Sequence, residues 1–168
     1  SSLFGNKYSV AVSSGTAALH LSMIALNLKK TDIVITTPIT FLATATSVIN
    51  AGYKLFLSDI NLNNFTIDTN ILEQNLKRLN KQNKNCAAVI AVDYAGSPCD
   101  WKSLKKLSRK YNFKLINDNC HAIGTKYLGS SKYAAKYADI VTHSYHPVKN
   151  ITTAEGGCVL TNNKDIFN

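Results

Sequence analysis

Residues 86–118, CAAVIAVDYAGSPCDWKSLKKLSRKYNFKLIND, decide the predicted fold of this chain. They open on an unbroken apolar run, Cys86–Val92, which is typical of a strand buried on both faces of a parallel sheet. Asp100 is placed to cap a helix that continues through Tyr111. Residues 114–116 supply the next strand, so the stretch predicts one strand–helix–strand unit of a parallel sheet.

The same alternation continues on both sides of this unit. Ser14 and Thr69 are predicted to cap helices, and Thr40 is predicted to start a helix that stops near Gly52. Short turns separate these elements, which is the pattern of an α/β domain built on a mostly parallel sheet. Further strands are predicted at residues 10–12, 33–36, 53–58 and 158–161.

Length and composition describe one folded domain over residues 1–168. Hydrophobic residues make up 45% of the chain and charged residues 17%, a balance that builds a core and excludes a disordered protein. No apolar run reaches the roughly 20 residues that cross a bilayer, so no membrane association is predicted. Residues 1–10 lack both a signal-peptide pattern and an initiator methionine, so we expect a piece of a longer chain.

The net charge of +9 raises the question of a polyanionic partner such as nucleic acid. The lysines are spread along the sequence and mostly flank the predicted helices, without a compact basic run that carries interleaved aromatic residues. We therefore interpret the lysines as belonging to solvated helix faces, and no nucleic-acid partner is predicted. A phosphorylated small molecule fits the charge equally well.

Four cysteines occur without a closely spaced pair. The sequence therefore predicts neither a disulfide framework nor a zinc site, and no other metal site is predicted. Free thiols indicate a reducing, cytoplasmic compartment. The cysteines are Cys86, Cys99, Cys120 and Cys158.

Five polar or aromatic segments follow predicted strands. Ligands of parallel sheets bind beyond the carboxyl ends of the strands, so we expect these segments to meet along one edge. They are SSGT at 13–16, PITF at 38–41, DYAG at 93–96, DNCHA at 118–122 and the loop within 143–157.

The first segment, residues 13–16, opens a helix with small residues. Backbone N–H groups at such a turn point outward, and the helix dipole adds partial positive charge, so the turn suits a phosphate. Many helices begin in this way and bind nothing, so this signal is weak by itself.

The last segment, HSYHPVKNITTAEGG at 143–157, holds a lysine among few other charges. Lys149 lies near Pro147, Val148 and Ile151, on what the flanking sequence predicts as a structured loop between two strands. We interpret Lys149 as the amine that forms a Schiff base with a carbonyl cofactor. The alternative is a solvated loop lysine.

The remaining segments supply what such a cofactor would need. A carboxylate at the end of a buried strand, such as Asp118, costs free energy unless it has a cationic partner, and a protonated pyridine nitrogen is one. Phe41 is able to stack on an aromatic ring, and Ser144 is able to add a hydroxyl to the phosphate site. The alternatives are a strand-end cap for Asp118, a core position for Phe41, an ordinary strand residue for Ser144, and structural roles for His121, His143 and His146.

In order and spacing, the motifs SSGTAALH, ITTPITFLATA, VDYAGSPCD, DNCHAIGTKYLG and SYHPVKNITTAEGG resemble the pyridoxal-phosphate-dependent nucleotide-sugar aminotransferases of the DegT/StrS type. The resemblance implies the large domain of a fold-type I enzyme, with a mostly parallel seven-stranded sheet and helices on both faces. It also implies that residues 1–168 are the cofactor-binding part of a chain about twice as long, without its small C-terminal domain.

The resemblance implies a role for each site residue. Lys149 would be the catalytic Schiff-base lysine, Asp118 would pair with the pyridine nitrogen, and His121 would lie by the 3-hydroxyl group of the ring. Asn117 departs from the family, which commonly has an acidic residue before the aspartate. The residues implied to bind pyridoxal 5'-phosphate are Gly15, Thr16, Phe41, Asp118, His121, Ser144 and Lys149.

The implied reaction moves an amino group from glutamate to the C4 keto group of a UDP-linked 4-keto-6-deoxy sugar, for pseudaminic acid or related surface sugars. The implied assembly is a homodimer whose partner chain completes the site. Two alternatives stay open: an aminotransferase for another nucleotide-linked keto sugar, at C3 or with another C4 configuration, and a non-catalytic regulator that binds pyridoxal phosphate. Lys149 argues against the dehydratase branch of the family, which uses a histidine at that position.

Overall fold

Seven strands form one sheet in the computed structural model, which describes residues 2–168. Their order across the sheet is β1-β7-β6-β5-β4-β2-β3. Only β7 runs against its neighbours, β1 and β6, and the other four strand pairs are parallel. The predicted mostly parallel sheet is therefore confirmed. The strands are β1 (Tyr8–Val12), β2 (Ile33–Thr36), β3 (Lys54–Leu57), β4 (Cys86–Val92), β5 (Lys114–Asp118), β6 (Ile140–Ser144) and β7 (Gly157–Thr161).

Two hydrophobic cores lie on opposite faces of this sheet. Successive side chains of a strand point to opposite faces, so in β4 Val89 joins one core and Ile90 the other. All seven residues of β4 are buried, as the apolar run predicted. One core is closed by α3 and α4, and the other by α1 and α2. The helices are α1 (Gly15–Ala25), α2 (Leu42–Asn50), α3 (Thr69–Lys81), α4 (Trp101–Tyr111), α5 (Tyr133–Tyr137) and α6 (Lys164–Phe167).

Two of the predicted helix caps are present in the structure. The Ser14 hydroxyl accepts a hydrogen bond of 3.1 Å from the Ala17 N–H, and Asp100 Oδ1 accepts one of 3.1 Å from the Ser103 N–H. Both predicted caps are confirmed. Gly52 follows α2 with a φ of +81°, which suits the predicted glycine stop.

Two predicted helix starts are wrong. Thr69 does not cap α3, because Asp68 Oδ1 accepts the N–H groups of Asn70 and Ile71, at 2.8 and 3.0 Å. Thr40 does not start α2, because Phe41 still has an extended backbone and helical geometry begins at Leu42. Within residues 2–168, no helix combines the length and apolar character that a membrane crossing requires.

Strand register brings the sites of interest to one edge. Asp118, the last residue of β5, lies beside Val92 of β4 and Thr142 of β6. Ser144, the last residue of β6, pairs with Gly157 at the start of β7. The segments after β1, β2, β4, β5 and β6 therefore leave the sheet at the same end.

Candidate active site

A cavity of about 210 Å³ opens at this end of the sheet, on the face that α1 and α2 cover. All the residues predicted to bind the cofactor line it: Gly15, Thr16, Phe41, Asp118, His121, Ser144 and Lys149. They come from four of the five predicted segments. The fifth, DYAG, contributes through Val92 just before it and through its contacts with His121.

The start of α1 forms one wall of the cavity. Helix geometry leaves the N–H groups of Gly15 and Thr16 without intrahelical acceptors, while the Ser14 hydroxyl takes the N–H of Ala17. Ser144 lies so close that a Cβ added to Gly15 would stand 2.6 Å from its Cβ and 3.0 Å from its Oγ. Two free backbone donors and one hydroxyl are therefore gathered at a helix N-terminus, which suits a phosphate group.

Gly157 allows this close approach from the side of the sheet. A Cβ at Gly157 would overlap the Ser14 carbonyl and stand 2.9 Å from the Gly15 nitrogen. The backbone at the start of α1 therefore rests directly on the first residue of β7.

Asp118 lies at the floor of the cavity and is 4% exposed. Its Oδ2 accepts a hydrogen bond of 2.7 Å from the Thr44 hydroxyl, and its Oδ1 accepts one of 3.3 Å from the Cys120 N–H. The ion pairs found within residues 2–168 do not include Asp118. A buried carboxylate with only neutral donors favours a cationic group in the cavity beside it.

The surroundings of His121 favour a neutral imidazole. Its Nδ1 accepts a hydrogen bond of 3.4 Å from the Ala95 N–H, which favours the tautomer that carries its proton on Nε2. The Tyr94 ring packs edge-on against it, with centroids 5.8 Å apart. Burial lowers the pKa of His121, and the nearby Lys149 charge lowers it further, against the opposing effect of Asp118. His121 can therefore offer an N–H donor at neutral pH.

Phe41 is not a core residue. The residue is 67% exposed and lines the cavity, so its ring is available for stacking on a planar ligand. The alternative of a core position is thus wrong.

Lys149 differs from its neighbours in the loop between β6 and β7. It is partly buried and lines the cavity, whereas His146, Pro147, Val148 and Asn150 are exposed. The loop is braced at its base, because the Tyr145 N–H donates to the Gly156 carbonyl at 2.9 Å and the Thr153 N–H donates to the Tyr145 carbonyl at 3.0 Å. The predicted structured loop is confirmed, and its lysine faces the site.

Sequence reasoning missed several residues that line the cavity or lie directly behind it. Thr40 and Thr44 support Asp118, and their spacing of four residues was the available signal. Burial and the Asp118 charge raise the pKa of Cys120 well above its ordinary value, so this thiol stays protonated. His146, for which the sequence favours a structural over a catalytic role, lines the cavity with its Nε2 3.7 Å from Glu155 Oε1.

Two neighbours of the site face away from it. His143 is buried, and its ring packs edge-on against Phe4 with centroids 4.5 Å apart. Asn117 is fully buried, and its side-chain amide has no hydrogen-bond partner among the described residues. The departure from the family at Asn117 therefore lies outside the cavity wall.

Behind the cavity, a buried carboxylate ties two of the segments together. Asp93 Oδ1 accepts from the Cys99 N–H at 2.8 Å and from Trp101 Nε1 at 3.0 Å. Its Oδ2 accepts from Asn119 Nδ2 at 3.0 Å and from the Tyr133 hydroxyl at 2.6 Å. This network fixes the DYAG turn, which holds His121, to the segment that follows Asp118.

Comparison with known proteins identifies the class. The profile of the DegT/DnrJ/EryC1/StrS aminotransferase family matches residues 1–168, and the chain belongs to this family. The UDP-4-amino-4,6-dideoxy-N-acetyl-beta-L-altrosamine transaminase of Campylobacter jejuni subsp. jejuni serotype O:23/36 (strain 81-176) is 42% identical over 163 residues. That match covers 97% of this chain and 42% of the relative.

Two solved structures are similar throughout the chain. Helicobacter pylori PseC, an aminotransferase involved in the biosynthesis of pseudoaminic acid, matches 98% of this chain and 43% of its own, with 34% identity and a TM-score of 0.85. NtdA from Bacillus subtilis with bound cofactor PMP matches 99% of this chain and 36% of its own, with 30% identity and a TM-score of 0.86. The predicted fold-type I α/β architecture is confirmed. The chain spans 36–43% of the length of these three proteins.

Proposed function

We propose that the full-length protein is a pyridoxal-phosphate-dependent aminotransferase that acts on a nucleotide sugar. The observation that carries the proposal is the meeting of Lys149 and Asp118 at one cavity beside the N-terminus of α1. An amine, a buried carboxylate and a phosphate-binding turn are the three groups that this cofactor requires of a protein. In this proposal residues 1–168 are the cofactor-binding part of the large domain.

The residues of the cavity fit pyridoxal phosphate. The N–H groups of Gly15 and Thr16 and the Ser144 hydroxyl would hold its phosphate, and Asp118 would accept the pyridinium N–H. The neutral His121 would donate Nε2–H to the ring oxygen, and the exposed face of Phe41 would cover the ring. When bound, the cofactor supplies an electron sink for the carbon that gains or loses the amino group.

Lys149 has two tasks in the proposal. Its Nζ would hold the cofactor, and the same amine would take and return a proton at the reacting carbon. Lys149 is partly buried and lines the cavity, which supports both tasks.

The substrate assignment rests on the similarity to the Campylobacter transaminase and to PseC. We propose glutamate as the amino donor and the C4 keto group of a UDP-linked 4-keto-6-deoxy sugar as the acceptor, on the route to pseudaminic acid or a related surface sugar. We further propose a homodimer, since Phe41 is exposed at the cavity where a partner chain could cover it. A cytoplasmic location is proposed because the four cysteines are free thiols.

The proposal is tested with the full-length protein, glutamate and a UDP-linked 4-keto-6-deoxy sugar. We expect amino transfer by the wild type and by Lys126→Ala, a control at an exposed lysine, and none by Lys149→Ala. Transfer of the amino group to a different keto sugar, and not to this one, would show that the proposed acceptor is wrong. If the protein binds pyridoxal phosphate but transfers no amino group to any keto sugar, the proposed aminotransferase activity is contradicted and a non-catalytic regulator is favoured.

A further inference from the structure

We propose that Thr44, itself oriented by Thr40, is a positioning residue that fixes the Asp118 carboxylate for the pyridinium nitrogen of the cofactor. This inference rests on the proposed function and assigns a task to two hydroxyl groups, that of Thr40 at the cavity wall and that of the buried Thr44 behind it.

The hydrogen bonds form a chain with one direction. Thr44 Oγ1 lies 2.7 Å from Asp118 Oδ2 and 2.8 Å from Thr40 Oγ1. A hydroxyl has one proton to donate, and an ionised carboxylate only accepts. Thr44 therefore donates to Asp118, and Thr40 donates to Thr44.

The side chain of Thr44 behaves unlike the other hydroxyls of α2. A hydroxyl inside a helix commonly bonds back to a carbonyl one turn earlier, as Thr46 does to Leu42 at 3.1 Å and Ser47 does to Thr44 at 2.9 Å. Thr44 instead reaches a residue 74 positions later in the chain. It is fully buried, so no water competes for this bond.

The bond matters because it is the shorter of the two that hold Asp118. The other, from the Cys120 N–H to Oδ1, is 3.3 Å long. With one donor on each oxygen, the plane of the carboxylate is set and lone pairs remain for a ligand in the cavity. Without the Thr44 hydroxyl, Asp118 would keep the longer bond and its contact with the Cys120 thiol, and its carboxylate would be held less firmly.

Thr44 also lies in the turn that carries Phe41. The Thr44 N–H donates to the Phe41 carbonyl at 3.0 Å, and Thr40 lines the cavity next to both. The PITF turn and the first turn of α2 thus place a stacking ring and the support of the carboxylate next to each other at the site.

The test compares full-length variants that carry cofactor labelled with ¹⁵N in the ring. Thr44→Val removes the hydroxyl at constant shape, Thr44→Ser keeps it, and Thr46→Val is the matched control on the same helix. The ¹⁵N chemical shift reports protonation of the ring nitrogen, and single-turnover kinetics with glutamate report the rate. The dissociation constant of pyridoxal phosphate is measured for each variant.

We expect the ring nitrogen of Thr44→Val to lose its proton at a pH at which the wild type, Thr44→Ser and Thr46→Val keep theirs. The rate of Thr44→Val should fall about tenfold or more, the size found when supports of a ligand-holding residue are removed, while the dissociation constant changes less. Thr40→Val should move the ¹⁵N shift in the same direction by a smaller amount, which keeps the test open if Thr44→Val does not fold.

If Thr44→Val and Thr40→Val both keep the ¹⁵N chemical shift and the single-turnover rate of the wild type, the positioning role is overturned and the proposed function stays intact. A wild-type protein that binds no pyridoxal phosphate would overturn the proposed function, and this inference with it.

Discussion

His143 shows how one buried side chain makes stability depend on pH. It is 1% exposed, its Nδ1 has no hydrogen-bond partner among the described residues, and burial lowers its pKa to about 4. In the unfolded chain the pKa of a histidine is about 6.5. Between these values the unfolded state binds a proton that the folded state does not, so stability is lost as the pH falls from about 6.5 to 4.

We therefore expect His143 to account for about 2 kcal/mol of lost stability between pH 7 and pH 5. Urea unfolding of the full-length protein and of His143→Gln at both pH values measures this contribution, because glutamine does not titrate. The variant should lose less stability than the wild type over this interval. An equal loss in both proteins would show that His143 binds protons alike in the folded and unfolded states, which would contradict its lowered pKa in the folded protein.

For single residues, the sequence identified candidates by their chemistry but did not identify the residues that they contact. Each of Lys149, Asp118 and Phe41 has an ordinary alternative by itself, and they were predicted because an amine, a carboxylate and a ring occur together after strands of one sheet. The Thr44 hydroxyl was missed, since its bond to Asp118 spans 74 residues and leaves no local pattern. The burial of His143 depends in the same way on Phe4, far from it in the chain.

At the scale of elements, the contact of α1 with the sheet decides the phosphate-binding wall. Two positions without side chains, Gly15 and Gly157, let the helix start lie against β6 and β7. A side chain at Gly15 would push the helix away from Ser144, and the three proposed phosphate donors would no longer converge.

For this contact we predict that Gly15→Ala lowers the free energy of unfolding, the opposite of the usual effect of this substitution in a helix. Glycine to alanine inside a helix usually stabilises by about 0.5–1 kcal/mol, but in Gly15→Ala the new Cβ would meet Ser144 at 2.6 Å. We expect a loss of about 1–3 kcal/mol in the free energy of unfolding and weaker binding of pyridoxal phosphate. Urea unfolding and cofactor titration measure both, with Thr16→Ala, at the exposed next position, as the control for stability. A more stable Gly15→Ala protein would contradict the packing.

The strands and helix caps that depend only on residues close in the sequence were predicted well. The bounds of β4 agree with the apolar run, because burial on both faces demands it, and the caps at Ser14 and Asp100 agree because they need only nearby N–H groups. The short helix α5 was not predicted. Its five residues are too few to be stable alone, and Tyr133 is held by the distant Asp93.

At the scale of the whole molecule, the parallel sheet explains how one short sequence assembles a site from distant segments. Strands β2, β4, β5 and β6 point the same way, so the residues after them meet at one edge. This meeting was predictable from the alternation of strands and helices. The shape of the cavity was not, since it depends on how closely α1 and α2 pack on the sheet.

The central claim, that Lys149 holds the cofactor, is tested most directly by chemical trapping. The full-length protein is incubated with pyridoxal phosphate, reduced with borohydride and digested, and the modified peptide is located by mass spectrometry. We predict that the cofactor is trapped on Lys149, that Lys149→Ala traps none, and that Lys126→Ala is labelled like the wild type. Label on another lysine with Lys149 unmodified, or no label at all, would contradict the account.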